Sequence, residues 1–178
     1  DDTLSAIDVA SGRIIDTMSV RPPDDPLFGQ MPTDMAISDD GRTLYATCGG
    51  GNAIAVIDLV AERVEGYIPT GWFPVAIAQR DGRLYVASTK GIGARLANRN
   101  GAYNVHSSVG TVQFITPQDR SDLPGLTRKV AANIRWGVAE LPARAGRKPV
   151  PVPERIGEPS VFKHVVYIIK ENHTYDQD

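Results

Sequence analysis

Residues 41–59, GRTLYATCGGGNAIAVIDL, recur in pieces on both sides of themselves, which obliges the chain to build one small unit several times over. Upstream, Asp2-Thr3-Leu4-Ser5-Ala6-Ile7-Asp8 aligns with Asn52-Ala53-Ile54-Ala55-Val56-Ile57-Asp58 at an offset of 50. Downstream, Pro74-Val75-Ala76-Ile77-Ala78 and Asp81-Gly82-Arg83-Leu84-Tyr85-Val86-Ala87 repeat Pro32-Thr33-Asp34-Met35-Ala36 and Asp40-Gly41-Arg42-Thr43-Leu44-Tyr45-Ala46 at an offset of 40 to 42. The longer first offset is explained by Arg21-Pro22-Pro23-Asp24-Asp25-Pro26, whose prolines lack ladder donors and mark a loop.

A period near 40 built from short alternating strands is the sequence sign of a propeller blade. Strands are predicted at 3–9 and 13–18, joined by a turn at Ala10-Ser11-Gly12, as the outer pair of one blade. One complete four-stranded blade follows at 32–38, 43–48, 52–58 and 63–68. Asp8 and Asp58 each close a strand and read as formers of Asx-type turns. A third blade opens at Trp72-Phe73-Pro74, where at least one ring is predicted to lie between adjacent blades, and Trp72→Ala to cost about 3–5 kcal/mol as for a buried large aromatic. It runs through Ser88 and, after a polar excursion from Thr89 to Ser108, resumes at Gly110 to Ile115. That excursion carries Arg95, Asn98, Arg99, Asn100, Asn104 and His106, and reads as a solvated surface loop or as an insert that binds an anionic substrate or covers the neighbouring domain. The single cysteine, Cys48, excludes an internal disulfide and reads as a small core residue.

Leu44-Tyr45-Ala46-Thr47 and Leu84-Tyr85-Val86-Ala87 each follow an Asp-Gly-Arg or Gly-Arg turn, and each precedes a strand of the Ala-Val-Ile-Asp kind; this order and spacing resemble YVTN-type β-propeller repeats. The resemblance covers residues 1–116 and implies partial propeller blades without implying a chemistry.

Beyond Pro117 the blade pattern stops. Leu123, Leu126, Val130 and Ile134 recur at spacings of three and four, so 122–135 is predicted to be an amphipathic helix with Asp122 as N-cap and Pro124 in the first turn. From Leu141 to Pro159 the prolines and arginines predict a semi-rigid extended linker, making 117–160 a helix-plus-linker segment. Val165-Val166-Tyr167-Ile168-Ile169 is an unbroken apolar run of the kind found in strands buried on both faces. Lys170-Glu171-Asn172 stands at its carboxyl end, where open α/β sheets hold ligands, and Glu171 and Asn172 offer hard oxygen donors for a divalent metal ion.

Residues 163–176, KHVVYIIKENHTYD, are similar to the opening strand of the phosphoesterase family that includes bacterial phospholipases C and acid phosphatases, relatives of alkaline phosphatase. The family motif reads Glu-Asn-Arg-Ser/Thr-Phe/Tyr-Asp; Glu171, Asn172, Thr174, Tyr175 and Asp176 match it, and His173 stands where Arg is usual. The resemblance implies that Glu171 and Asn172 bind the catalytic metal, that 161–178 open an α/β domain, and that a nucleophilic Ser or Thr lies further along. The other reading of the pair is a strand-to-helix turn capped by Asn172.

The fold class expected is thus mainly β: a partial β-propeller of four-stranded antiparallel blades, then a helix, a Pro-rich linker and the first strand of an α/β domain. Because Asp1 falls in mid-blade and Asp178 follows the start of a motif, the chain reads as an inactive junction fragment of a secreted or periplasmic, metal-dependent phosphoric ester hydrolase. The partners this implies are a small-molecule or phospholipid phosphate ester, neighbouring blades and the fragment's own catalytic domain. The alternative is a propeller binding module without catalysis; a propeller enzyme with metal in a central channel is weaker, because Asp34 is the only acid in the inner-strand segments. A net charge of −2 over 178 residues supplies no basic field for nucleic acid, and no apolar run approaches the ~20 residues of a membrane span.

Overall fold

The computed structural model describes residues 2–22, 29–97, 100–102, 106–136 and 141–168. Strands β1 (Thr3–Ile7) and β2 (Ile14–Ser19) form the first sheet. Strands β3 (Pro32–Ile37), β4 (Thr43–Cys48), β5 (Ala53–Asp58) and β6 (Arg63–Pro69) form the second, in that spatial order. Strands β7 (Trp72–Arg80), β8 (Arg83–Gly91) and β9 (Thr111–Ile115) form the third. Every pairing is antiparallel, so the chain is mainly β with the predicted four-stranded unit at its centre. The turns close as their sequences require. Asp58 Oδ1 accepts from the amides of Val60 (2.7 Å) and Ala61 (2.9 Å), and Asp8 Oδ1 accepts from the amide (2.8 Å) and hydroxyl (2.5 Å) of Ser11. Donation by the Ala61 and Val60 amides holds the Asp58 carboxyl below its ordinary value, and the Ser11 hydroxyl does the same for Asp8.

The second sheet is covered on both faces, and β4 and β5 are consequently buried at nearly every position. On its front face, towards the third sheet, Tyr45, Ile54, Val56 and Ile68 meet Ile77, Leu84, Val86 and Ile115. On its back face Leu44, Ala46, Cys48, Ala53, Ala55 and Ile57 meet Leu4 and Val20 of the first sheet region. The two sets alternate along each strand, as the pleat demands. Small side chains dominate the back face and let the sheets approach closely. Each fully buried Ile or Leu contributes about 1.5–3 kcal/mol, so these two interfaces supply most of the stability. Cys48 belongs to this core, and its burial pushes the thiol up to about 12, which leaves it protonated and unreactive.

Helix α1 (Leu123–Asn133) crosses back to the outer edge of the second sheet and lies along β6. Asp122 is its N-cap, accepting from the Gly125 amide at 2.9 Å, as the spacing predicts. Leu123 and Leu126 join the front-face cluster, while Val130 and Ile134 join the back-face cluster, so the helix seals both interfaces at once. It also occupies the open edge of β6, because Thr127 Oγ1 accepts from the Tyr67 amide at 2.8 Å. Gly66 permits this approach: a Cβ there would stand 2.5 Å from Thr127 Oγ1 and 2.8 Å from Leu123 Cγ. No helix among the described residues is long and apolar enough to cross a membrane.

Three expectations are corrected. Trp72 is 46% exposed with the Lys90 ammonium 4.6 Å from its ring, and it is Phe73 that turns inward, its Cζ 3.4 Å from where a Cβ on Gly49 would stand. The corner gives the inward position to the second ring because Phe73 takes a left-handed φ of 58°, which reverses the direction of its side chain. Second, β8 continues past Ser88 to Gly91, and the base of the polar loop is tied by bridges from Gly91 to Val109 and from Ala94 to Ser108. Third, the Pro-rich segment doubles back on itself instead of extending. Val150 bridges Ser160, and the Arg144 guanidinium forks onto Glu158 (Nε to Oε1 2.6 Å, NH2 to Oε2 3.0 Å) and reaches Glu154 at 2.7 Å. This bidentate pair outweighs the stiffness of the intervening prolines.

Arg144 lowers the Glu158 carboxyl from 4.5 to about 2. A depressed carboxylate pKa stabilises above the ordinary value and loses its effect on descent, so the folded-back segment is expected to hold above pH 4.5 and to open as the pH falls towards 2. Amide exchange at Val150 and Val161 as a function of pH measures this. Gly66→Val is expected to lever α1 off β6 and cost about 1–3 kcal/mol in a denaturant melt; a melt superimposable on that of the parent protein would show that the helix does not depend on this contact.

Candidate functional site

The proposed metal pair, Glu171 and Asn172, lies outside the described residues, as do His173, Thr174, Tyr175 and Asp176. The apolar run that precedes it is described as far as Ile168. There Val165, Val166, Tyr167 and Ile168 carry no strand assignment and are 84%, 85%, 84% and 79% exposed. A strand buried on both faces needs flanking strands for its backbone groups, and none of the described strands pairs with these residues. His164 shares this exposed stretch. Of the polar loop, Asn98, Arg99 and Asn104 are outside the described residues; Arg95 is exposed and donates from Nε to the Ile92 carbonyl at 3.2 Å. Among the described residues no three His, Cys, Asp or Glu side chains converge as a metal shell.

Asp34, the acid considered for a channel metal, is engaged elsewhere: its Oδ2 accepts from the Ile77 amide at 2.8 Å, tying β3 to β7 across two sheets. It is one of several latches that the sequence reading missed. Asn52 Oδ1 accepts from the Phe73 amide at 2.8 Å, and Asp39 Oδ2 accepts from Gln79 Nε2 (2.9 Å) and the Gly82 amide (3.1 Å). Thr33 Oγ1 donates to the Pro74 carbonyl at 2.9 Å. Between the first and second sheets, the buried Asp2 carboxylate accepts from the amides of Gly29 (3.0 Å), Gln30 (2.8 Å) and Met31 (3.2 Å). These latches repeat with the sequence. Asp2 aligns with Asn52 and Met31 with Phe73, and both latched amides belong to left-handed residues before a proline, at φ 50° and 58°. The signal was present in the Asp2 to Asn52 alignment, but its meaning needed the distance between chain segments.

A polar surface lies beneath the junction of the second and third sheets. Arg120, in a 3₁₀ turn (Gln118–Arg120), donates to the Tyr45 hydroxyl and, at 2.6 Å, to the Gly82 carbonyl, with its guanidinium carbon 5.2 Å from the Tyr45 ring centre. On one side is a pocket of about 260 Å³ reaching Glu65, Val56 and Leu123; on the other is one of about 300 Å³ reaching Ser38, Asp39 and Asp40. Both share Thr43, Tyr45 and Arg120. The wall brings together one cation, three carboxylates, a phenol and hydroxyls, and within it the Ser38 hydroxyl donates to Asp40 Oδ1 at 2.6 Å. Arg120 sits four residues beyond residue 116, where the repeat pattern ends, so no periodicity singles it out.

No family model matches the chain, and no curated protein matches it. Among solved structures, the chain is similar to Kuenenia stuttgartiensis hydrazine synthase, at 18% identity and a TM-score of 0.43 over 65% of this chain and 40% of that one.

Asp2 is buried, which opposes ionisation, yet the amides of Gly29, Met31 and Gln30 outweigh burial and lower its pKa from 3.8. Its stabilising effect is therefore complete above that ordinary value and declines as the pH falls through the folded one. Asp2→Asn is expected to cost about 1.5–3 kcal/mol near neutral pH, the range for hydrogen bonds to a charged group, with the deficit shrinking in acid. Paired melts at pH 7 and pH 3 check both the size and the trend.

Proposed function

We propose that this chain supplies the propeller support and the opening motif of a metal-dependent phosphoric ester hydrolase acting outside the cytoplasm. The observation that carries the reading is the sequence Glu171-Asn172-His173-Thr174-Tyr175-Asp176 directly after an apolar run, a match at five of six positions to the phosphoesterase motif. The donor chemistry suits a divalent cation: Glu171 brings a charged carboxylate and Asn172 a neutral amide oxygen, both hard ligands. The ion, when bound, supplies positive charge to a phosphoryl oxygen and to the attacking group. Glu171 and Asn172 would hold and orient it. The described sheets supply the support through their apolar core and the latches between them. The substrate class is a phosphate ester, soluble or at a lipid surface.

In the full-length protein, Glu171→Gln removes the charge while keeping the shape, and is expected to lower bound divalent metal and phosphate monoester hydrolysis at least tenfold with an unchanged melt. Asn172→Ala is expected to act in the same direction. Elemental analysis of the dialysed protein, with p-nitrophenyl phosphate turnover at limiting and saturating cation, measures both effects. Unchanged metal content and rate in Glu171→Gln would return the pair to the role of a strand-to-helix turn and leave the binding-module reading.

A further inference from the structure

Arg120 is a partly buried cation whose bonds all go to neutral oxygens. One terminal nitrogen of its guanidinium donates to the Tyr45 hydroxyl and the other to the Gly82 carbonyl, while the buried Nε has no hydrogen-bond partner among the described residues. No carboxylate among the described residues pairs with it. The three acids of the same wall are engaged elsewhere: Asp39 accepts from Gln79 and the Gly82 amide, Asp40 from the Ser38 hydroxyl and the Arg42 amide, and Glu65 stands 3.7 Å from Arg63. A guanidinium drawn out of water without a counter-charge is costly, and an anion is the group that offsets the cost. Each terminal nitrogen keeps a second N–H with which to hold one.

Two cavities offer an anion a place beside Arg120, and charge chooses between them. The larger has Asp39 and Asp40 in its wall, which repel any anion. The smaller has one acid, Glu65, already next to Arg63. Its remaining lining is mixed: Val56, Ile68 and Leu123 supply apolar surface, and Thr43 and Tyr45 supply hydroxyls. All of these belong to the second sheet or to the 117–123 crossing, so one chain builds the whole cavity.

We propose that this smaller cavity binds a small monocarboxylate, its carboxylate on the Arg120 guanidinium and its short apolar body against Val56, Ile68 and Leu123. The planar guanidinium matches a carboxylate in both shape and charge. A phosphate dianion is the poorer match, because Arg120 is the one cation among the lining residues and Glu65 repels a second negative charge more strongly than the first. The cavity holds about 260 Å³, below the roughly 300 Å³ at which drug-sized ligands are held, so the ligand is a small one. The inference uses none of residues 161–178 and stands apart from the phosphoesterase reading.

Titration of the full chain with sodium benzoate, followed by amide NMR, is expected to give saturable shifts at residues around the cavity. Arg120→Gln is expected to weaken benzoate binding at least tenfold. Because Arg120 also joins Tyr45 to Gly82, Glu65→Gln provides an independent check: Glu65 is exposed, so the variant is expected to keep the parent's melt. Loss of its repelling charge is expected to tighten benzoate binding at least twofold, a gain that damage to the fold does not produce. Inorganic phosphate is expected to bind at least tenfold more weakly than benzoate. Absence of saturable shifts, unchanged binding in a folded Arg120→Gln variant, binding not tightened in Glu65→Gln, or phosphate binding as tightly as benzoate would each overturn the proposal.

Discussion

Everything in this protein depends on one sheet being buried on both faces. A sheet with a single apolar face needs one partner, but β4 and β5 present apolar side chains in both directions and need two. The first and third sheets meet that need, and α1 closes the outer edge where the two interfaces converge. Were either neighbour removed, a row of aliphatic side chains would return to water at about 1.5–3 kcal/mol apiece, a sum comparable to the whole stability of an ordinary domain. Folding of the central sheet is therefore inseparable from its neighbours.

Apolar packing alone leaves the angle between sheets undefined, since branched aliphatic side chains interdigitate in more than one arrangement. The latches choose among them. Asp34, Asp39 and Asn52 each carry an acceptor to a backbone amide on the third sheet or at its entry, and Asp2 does so on the approach to the second. A typical neutral bond of this kind adds only about 0.5–1.5 kcal/mol, less than one buried isoleucine, but it is directional, so its weight falls on orientation. Left-handed backbone at Met31 and Phe73, costly for residues with a Cβ, persists because the acceptors hold the amides in place. Strain at two corners is thus offset by contacts repeated once per sheet.

The same geometry explains why Arg120 and Tyr45 meet. The turn from β9 into α1 must travel from the third sheet back to the edge of the second, passing beneath their junction, and Arg120 is carried under Tyr45 on the way. The equivalent Tyr85 meets the Phe114 ring edge to face instead. Identical repeat positions thus acquire different surroundings from the path of the chain.

The four strands of the central sheet, the Asx turns at Asp8 and Asp58, the burial of Cys48 and the cap of α1 were legible in the sequence, because each depends on residues within one strand pair or one helical turn. Glu171 and Asn172 are proposed as a metal pair from consecutive letters of the sequence alone, since they lie outside the described residues. The pairing of Asp2 with the 29–31 amides, the choice of Phe73 over Trp72 as the inward ring, and the docking of α1 through Gly66 and Thr127 onto β6 were not legible. Nor was the return of the Pro-rich segment, where composition argued for extension and Arg144 reached Glu158 across the turn. Periodicity reports which face of an element is apolar; only the tertiary structure decides what that face meets, because hydrogen bonds and close contacts between distant segments depend on distances that no local pattern encodes.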